Sequence, residues 1–245
     1  MLLCDTWIEE RSMKENTWLI TFPHAGGSST IFKGWNKEIK CNVLNLDYPG
    51  HWTRMCEPLL DSFNELAMDA VKSIQNKIKA PADMFLFGHS LGAIMAWWIT
   101  PILQEKGYTV KTIFLSASQS PNFFPEKNII DANDEYKKLE LIGYEKKDHS
   151  ATINKQFLNN YFPILDKDLQ ICKTFTSCNH YVSVDSYILY GKEDDLIDLN
   201  KMITWKDYVK LISLQEFTGR HLYLVDKDNK ILLISLINNI LKELN

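Results

Sequence analysis

The sequence predicts an α/β fold, a mostly parallel sheet flanked by helices and interrupted by a helical insertion. Three observations predict it. Short, continuously apolar runs rich in β-formers recur along the chain, as strands buried on both faces require. Segments with helical spacing of apolar residues separate them. One long stretch, 119–184, breaks the alternation and carries helix formers without a convincing strand. A chain of 245 residues suits one domain of this class.

The elements follow in order. Trp18-Leu19-Ile20-Thr21-Phe22 is a compact strand that stops at Pro23. Val43-Leu44-Asn45-Leu46 is a second, ended by Pro49-Gly50. Over 62–80, Phe63, Leu66, Ala67, Ala70, Val71, Ile74 and Ile78 share one helical face. Ser62 followed by Glu65 gives that helix a capping box. Met84-Phe85-Leu86-Phe87 is a third strand. The helix over 91–106 closes at Gly107, and Pro101 within it predicts a kink or an early break near Thr100. Thr112-Ile113-Phe114-Leu115, Tyr187-Ile188-Leu189-Tyr190 and Leu211-Ile212-Ser213-Leu214 are the remaining strands. An amphipathic helix over 229–244 ends the chain. Within the insertion, Phe157, Tyr161, Phe162 and Leu165 supply an apolar face. Such insertions commonly cover active sites, so 119–184 is read as a lid on a single domain spanning 1–245.

Bulk properties narrow the function classes. The chain is 45% hydrophobic and 24% charged, with a net charge of −4. No basic stripe runs along any segment, which argues against nucleic-acid binding. Residues 1–7 lack the basic start and apolar core of a secretory signal. No apolar stretch reaches the length of a membrane span. A soluble, cytoplasmic protein is expected. The five cysteines, Cys4, Cys41, Cys56, Cys172 and Cys178, are scattered and contain no Cys-x-x-Cys pair. Free thiols are expected, with no metal site.

The chemistry concentrates in a few motifs. Gly88-His89-Ser90-Leu91-Gly92 fits G-x-S-x-G, preceded by a strand and followed by a helix. That context marks a nucleophile elbow and the α/β-hydrolase fold. A serine hydroxyl is a weak nucleophile and needs a base. In this architecture the chain order is serine, acid, histidine. Of six histidines, only His221 follows the last strand. The acid belongs after the preceding strand, in Gly191-Lys192-Glu193-Asp194-Asp195. Asp194 is favoured over Asp195, with Asp198 and Glu193 as outsiders. Phe22-Pro23-His24-Ala25-Gly26-Gly27-Ser28 follows the first strand. Its Gly-rich turn points to Ala25 N–H as one oxyanion donor, and Leu91 N–H is the other. His24 is read as structural. The Lys-Ser/Thr that would make this turn a phosphate loop is absent.

These motifs resemble those of the type II thioesterases that accompany nonribosomal peptide and polyketide synthases, over most of the chain. The opening motif 22–28 matches residue for residue. Tyr48-Pro49-Gly50-His51-Trp52-Thr53-Arg54 is similar to that family's P-G-R-x-x-R, with His51 in place of the first arginine and Arg54 kept. Ser116-Ala117-Ser118-Gln119-Ser120-Pro121 resembles the entry to the lid, without the two arginines usual near Gln119. Pro163-Ile164-Leu165-Asp166-Lys167-Asp168 resembles P-x-L-R-A-D. Gly219-Arg220-His221 resembles G-G-H, with Arg220 replacing a glycine.

The resemblance implies an editing enzyme that hydrolyses acyl or aminoacyl thioesters from the phosphopantetheine arm of a carrier protein. The phosphopantetheine belongs to the partner, so no bound cofactor or metal is expected, and relatives imply a monomer. A stand-alone acyl-CoA or small-ester hydrolase is the alternative, and a non-catalytic binding protein on the same fold is the rival of another class. Lys137, Lys138, Lys146 and Lys147 form a candidate surface for an acidic carrier helix.

Overall fold

In the computed structural model, residues 16–124, 138, 155–177 and 180–244 are described, apart from the side chains of 155–157. Six strands form one sheet: β1 (Thr17–Phe22), β2 (Asn42–Asn45), β3 (Asp83–His89), β4 (Thr109–Ser116), β5 (Val182–Gly191) and β6 (Val209–Phe217). Their spatial order is β2-β1-β3-β4-β5-β6, and every neighbouring pair is parallel. The described helices are α1 (Trp35–Glu38), α2 (Phe63–Lys77), α3 (Leu91–Glu105), α4 (Lys155–Lys173), α5 (Leu199–Ile203) and α6 (Lys227–Leu244). One apolar layer joins α2, α3 and α4 to a face of the sheet. A second layer joins α1 and α6 to the opposite face. Coverage on both faces explains why the central strands read as unbroken apolar runs.

This topology places the site. The chain leaves β1 toward one sheet edge, to β2, and later leaves β3 toward the other edge, to β4. The crevice between the carboxyl ends of β1 and β3 is therefore the switch point where such sheets bind ligands. In register, Phe22 lies beside Gly88 and His89 beside Ser116. The loops after β1, β3 and β4 thus leave the sheet side by side.

Local signals read from the sequence are realised at α2. Ser62 Oγ accepts the Glu65 N–H at 3.2 Å, and Glu65 Oε2 accepts the Ser62 N–H at 3.1 Å. Arg54 secures the loop before this helix. Its guanidinium donates to Asp69 at 2.5 and 3.0 Å and to Glu57 at 2.8 and 2.5 Å.

Three expectations need correction. Helix α3 runs through Pro101 to Glu105, so no early break occurs near Thr100. Ile99, Thr100 and Leu103 are buried around the proline, and Thr100 Oγ1 donates to Ala96 O at 2.7 Å. Core packing holds the helix together where propensity alone would end it. The strand β5 begins at Val182, inside the stretch 119–184 expected to be strand-free. Lys138 is buried, ion-paired with Asp166, and sits 5.3 Å from the Phe162 ring centroid, so it is not part of an open basic surface. Lys137, Lys146 and Lys147 lie outside the described residues.

Cys41, Cys56 and Cys172 are free thiols, and Cys4 and Cys178 fall outside the described residues. Among the described residues, no helix is long and apolar enough to cross a membrane.

Candidate active site

Ser90 occupies the turn between β3 and α3 with φ +56 and ψ −116. A non-glycine residue in this region is strained by about 1–3 kcal/mol, and the surrounding packing must hold it there. The packing is severe on both sides. A Cβ on Gly88 would stand 2.0 Å from Gly92 O, and one on Gly92 would stand 2.2 Å from Phe22 O. The strand, the helix and the end of β1 therefore meet backbone to backbone, which only glycine at both positions permits. The Ser90 N–H donates to Ser116 O at 2.7 Å, tying the turn to the end of β4. Leu91 is the first residue of α3. Its N–H opens the first turn, where an N–H has no acceptor four residues back, and it sits at the positive end of the helix dipole.

Loops after β5 and β6 bring Asp194 and His221 together. Asp194 Oδ2 lies 2.8 Å from His221 Nδ1, with both side chains about fully buried, at 1% and 2% exposure. Asp194 Oδ1 accepts the Leu196 N–H at 3.0 Å, so the carboxylate is held at both oxygens. Asp195 points elsewhere: it is exposed and pairs with Arg220 at 3.0 Å. Asp198 caps α5 by accepting the Asn200 N–H. Glu193 joins the two loops, with its carboxylate accepting the Gly219 N–H at 2.5 Å and its own N–H donating to Gly219 O at 3.1 Å. Geometry thus separates the acidic candidates and places Asp194 alone against His221. His221 Nε2 is buried and has no hydrogen-bond partner among the described residues, Ser90 Oγ included. Such contacts are often loose in unliganded enzymes and tighten on substrate.

A second layer was invisible in the motif pattern. His89, the variable residue of the elbow, contacts Ser116 Oγ through Nδ1 at 2.8 Å, and Ser116 Oγ contacts Tyr223 Oη at 2.7 Å. The His89 ring lies 5.1 Å from the His221 ring, centroid to centroid. This chain ties the His221 loop to β4 and to the residue beside Ser90. Burial, with His221 and then His24 nearby, holds His89 well below the ordinary histidine range. A neutral His89 adds no positive charge beside His221.

The loop after β1 approaches from the other side. His24 O accepts the Gly27 N–H at 2.9 Å, closing a β-turn, and Ala25 and Gly26 are its central residues. Gly26 has φ +71, as the third residue of a type II turn requires. His24 is buried within the turn, with its pKa pushed down to about 3 by burial, then by His221 and His51. That fits the structural role expected for it.

The positions departing from the resemblance are also resolved. His51 contacts Asp168 at 3.0 Å, and Gln119 is buried. Asp166 pairs with Lys138, and Arg220 with Asp195.

A parallel six-stranded sheet covered on both faces, with a strained serine between its third strand and the following helix, defines an α/β-hydrolase. The chain belongs to the thioesterase domain family, whose model matches residues 17–241. Its sequence is 27% identical over 218 residues to thioesterase PikA5 of Streptomyces venezuelae, covering 87% of this chain and 77% of that protein. In structure it is similar to RedJ, a thioesterase of prodiginine biosynthesis in Streptomyces coelicolor. The TM-score is 0.78 at 20% identity, covering 91% of this chain and 85% of the other. It is similar too to BorB, a type II thioesterase of the borrelidin biosynthetic cluster, with a TM-score of 0.76 at 22% identity over 92% and 93% of the two chains.

Proposed function

We propose that the protein is a type II, editing thioesterase that frees acyl or aminoacyl groups from the phosphopantetheine arm of a synthase carrier protein. The buried Asp194–His221 pair, brought to the same sheet end as Ser90, is the observation that carries the reading.

In the proposed mechanism His221 Nε2 takes the Ser90 proton as Ser90 Oγ attacks the thioester carbonyl. Asp194 fixes the Nδ1–H tautomer and stabilises the imidazolium that forms. The N–H groups of Ala25 and Leu91 hold the oxyanion, and such a donor typically contributes about 10²- to 10³-fold in rate. The C–S bond breaks, and His221 returns its proton to the leaving thiolate. Water, deprotonated by His221, then hydrolyses the acyl-Ser90 ester and regenerates the serine. No metal or bound cofactor enters these steps. A lid formed by the insertion that precedes β5, the monomeric state and the cytoplasmic setting belong to the same reading.

The carrier partner draws support from relatives named as thioesterases of biosynthetic clusters, BorB among them. The deciding experiment follows thiol release and intact mass of acyl-loaded carrier proteins, with the wild type and Ser90→Ala. Release by the wild type and none by the variant is expected. Hydrolysis of p-nitrophenyl esters or acyl-CoA without release from any carrier would move the protein to a stand-alone esterase.

A further inference from the structure

His51 has an acceptor at each ring nitrogen. Nδ1 lies 3.0 Å from Pro49 O, and Nε2 lies 3.0 Å from Asp168 Oδ2. A carbonyl oxygen and a carboxylate oxygen can only accept. A neutral imidazole carries one N–H, so one of these contacts would set lone pair against lone pair. Only the imidazolium satisfies both.

Asp168, on α4, also receives the Gly26 N–H, at 2.6 Å and on the same Oδ2. This N–H belongs to the central peptide of the turn that carries Ala25. Type I and type II turns differ mainly in the orientation of that peptide, so Asp168 selects one of the two. The helix also presses on the turn directly, since a Cβ on Gly26 would stand 2.8 Å from Tyr161 Oη and 3.0 Å from Leu165 Cβ.

We propose that Asp168 is a positioning residue for the Ala25 oxyanion turn and that a protonated His51 is the charge that keeps it there. Loss of the His51 proton then releases the turn and slows hydrolysis on the alkaline side. The rate effect rests on the function proposed above, whereas the charge state of His51 does not.

The groups facing this pair agree. Burial alone pulls His51 down, but the hydrogen bond and charge of Asp168, then Pro49 O and the charge of Asp47, leave it raised above its ordinary value of 6.5. Asp47 is itself held by the Ser29 N–H and hydroxyl and by Thr53 Oγ1. Tyr48, in the same loop, and His24, in the loop after β1, face His51, and His24 stays neutral at physiological pH. Around Asp168, burial and then the carboxylate's charge keep Tyr48, Tyr161 and Cys172 protonated. His51 is thus the one cation bonded to Asp168 among the described residues. A histidine raised in the fold contributes its stabilisation in full below about pH 6.5, and loses it as pH rises through the folded value.

Two measurements test the proposal. Side-chain ¹⁵N NMR of Ser90→Ala is expected to show His51 protonated at both nitrogens at pH 6.5 and titrating above the ordinary histidine range. Asp168→Asn in that background should lower this titration and shift the Gly26 amide. In the hydrolysis assay, with the Ser90→Ala rate subtracted, wild-type kcat/KM should fall about tenfold or more on the alkaline limb, less than losing an oxyanion donor outright. His51→Arg, whose charge does not titrate, should abolish that limb. A neutral His51 at pH 6.5, or an alkaline limb unchanged in His51→Arg, overturns the proposal. Full activity in Ser90→Ala would instead sink the serine mechanism and leave the His51 titration standing.

Discussion

Gly191 and Gly219 meet so closely that a Cβ on Gly191 would stand 2.3 Å from Gly219 O. The contact seals the loop bearing Asp194 against the loop bearing His221, and backbone on both sides leaves nothing flexible to yield. Gly191→Ala should cost about 1–3 kcal/mol of stability. It should also lower kcat/KM about 10²-fold, as misplacing reacting groups by about 1 Å can. Thermal unfolding and steady-state kinetics on the same preparation would check both effects.

Asp194→Asn should lower kcat about 10⁴-fold with its fold intact, because an amide favours the wrong histidine tautomer. Asp195→Asn should leave kcat within about threefold, since its partner Arg220 is an exposed surface residue and such pairs contribute little. Comparable losses from the two substitutions would contradict the assignment.

Tyr223→Phe removes the hydroxyl that meets Ser116 Oγ at 2.7 Å and leaves that oxygen its contact with His89. A loss of about 0.5–1.5 kcal/mol is expected in denaturant unfolding. KM should change less than kcat, because the His221 loop is what loosens.

His24 gives a pH dependence of stability on the acid side. The unfolded chain binds its proton below about pH 6.5, but the native state does so only near a pKa of about 3. The unfolded state therefore holds more protons between these values, and stability falls as pH is lowered through that window. His24→Gln should flatten this loss. Denaturant midpoints measured from pH 7 to pH 4 would reveal it, and an unchanged slope would refute it.

The legible parts of the site are those fixed by local geometry. Gly88, Ser90 and Gly92 stand at a spacing that only a backbone-on-backbone turn demands. Asp194 and His221 could be placed because each follows a recognisable strand. The Asp194–Asp195 choice needed coordinates, since both acids sit in one loop and differ only in which way they point. The His51–Asp168 pair spans 117 residues, and Ser116–Tyr223 spans 107. No periodicity or motif encodes contacts at such separations. Pro101 does not end α3, because helix propensity is local whereas the buried surroundings of the helix decide where it stops. Lys138 misled because a run of lysines reads as solvated until a carboxylate such as Asp166 is placed beside it.

The strand order has a consequence in time. Ser90 follows β3, but the strands that deliver its proposed acid and base are β5 and β6, the last two of the sheet. Synthesis proceeds from the N-terminus at about 5–20 residues per second. Ser90 therefore leaves the ribosome on the order of ten seconds before His221 does. A nascent or truncated chain that stops before β6 carries the serine without its base.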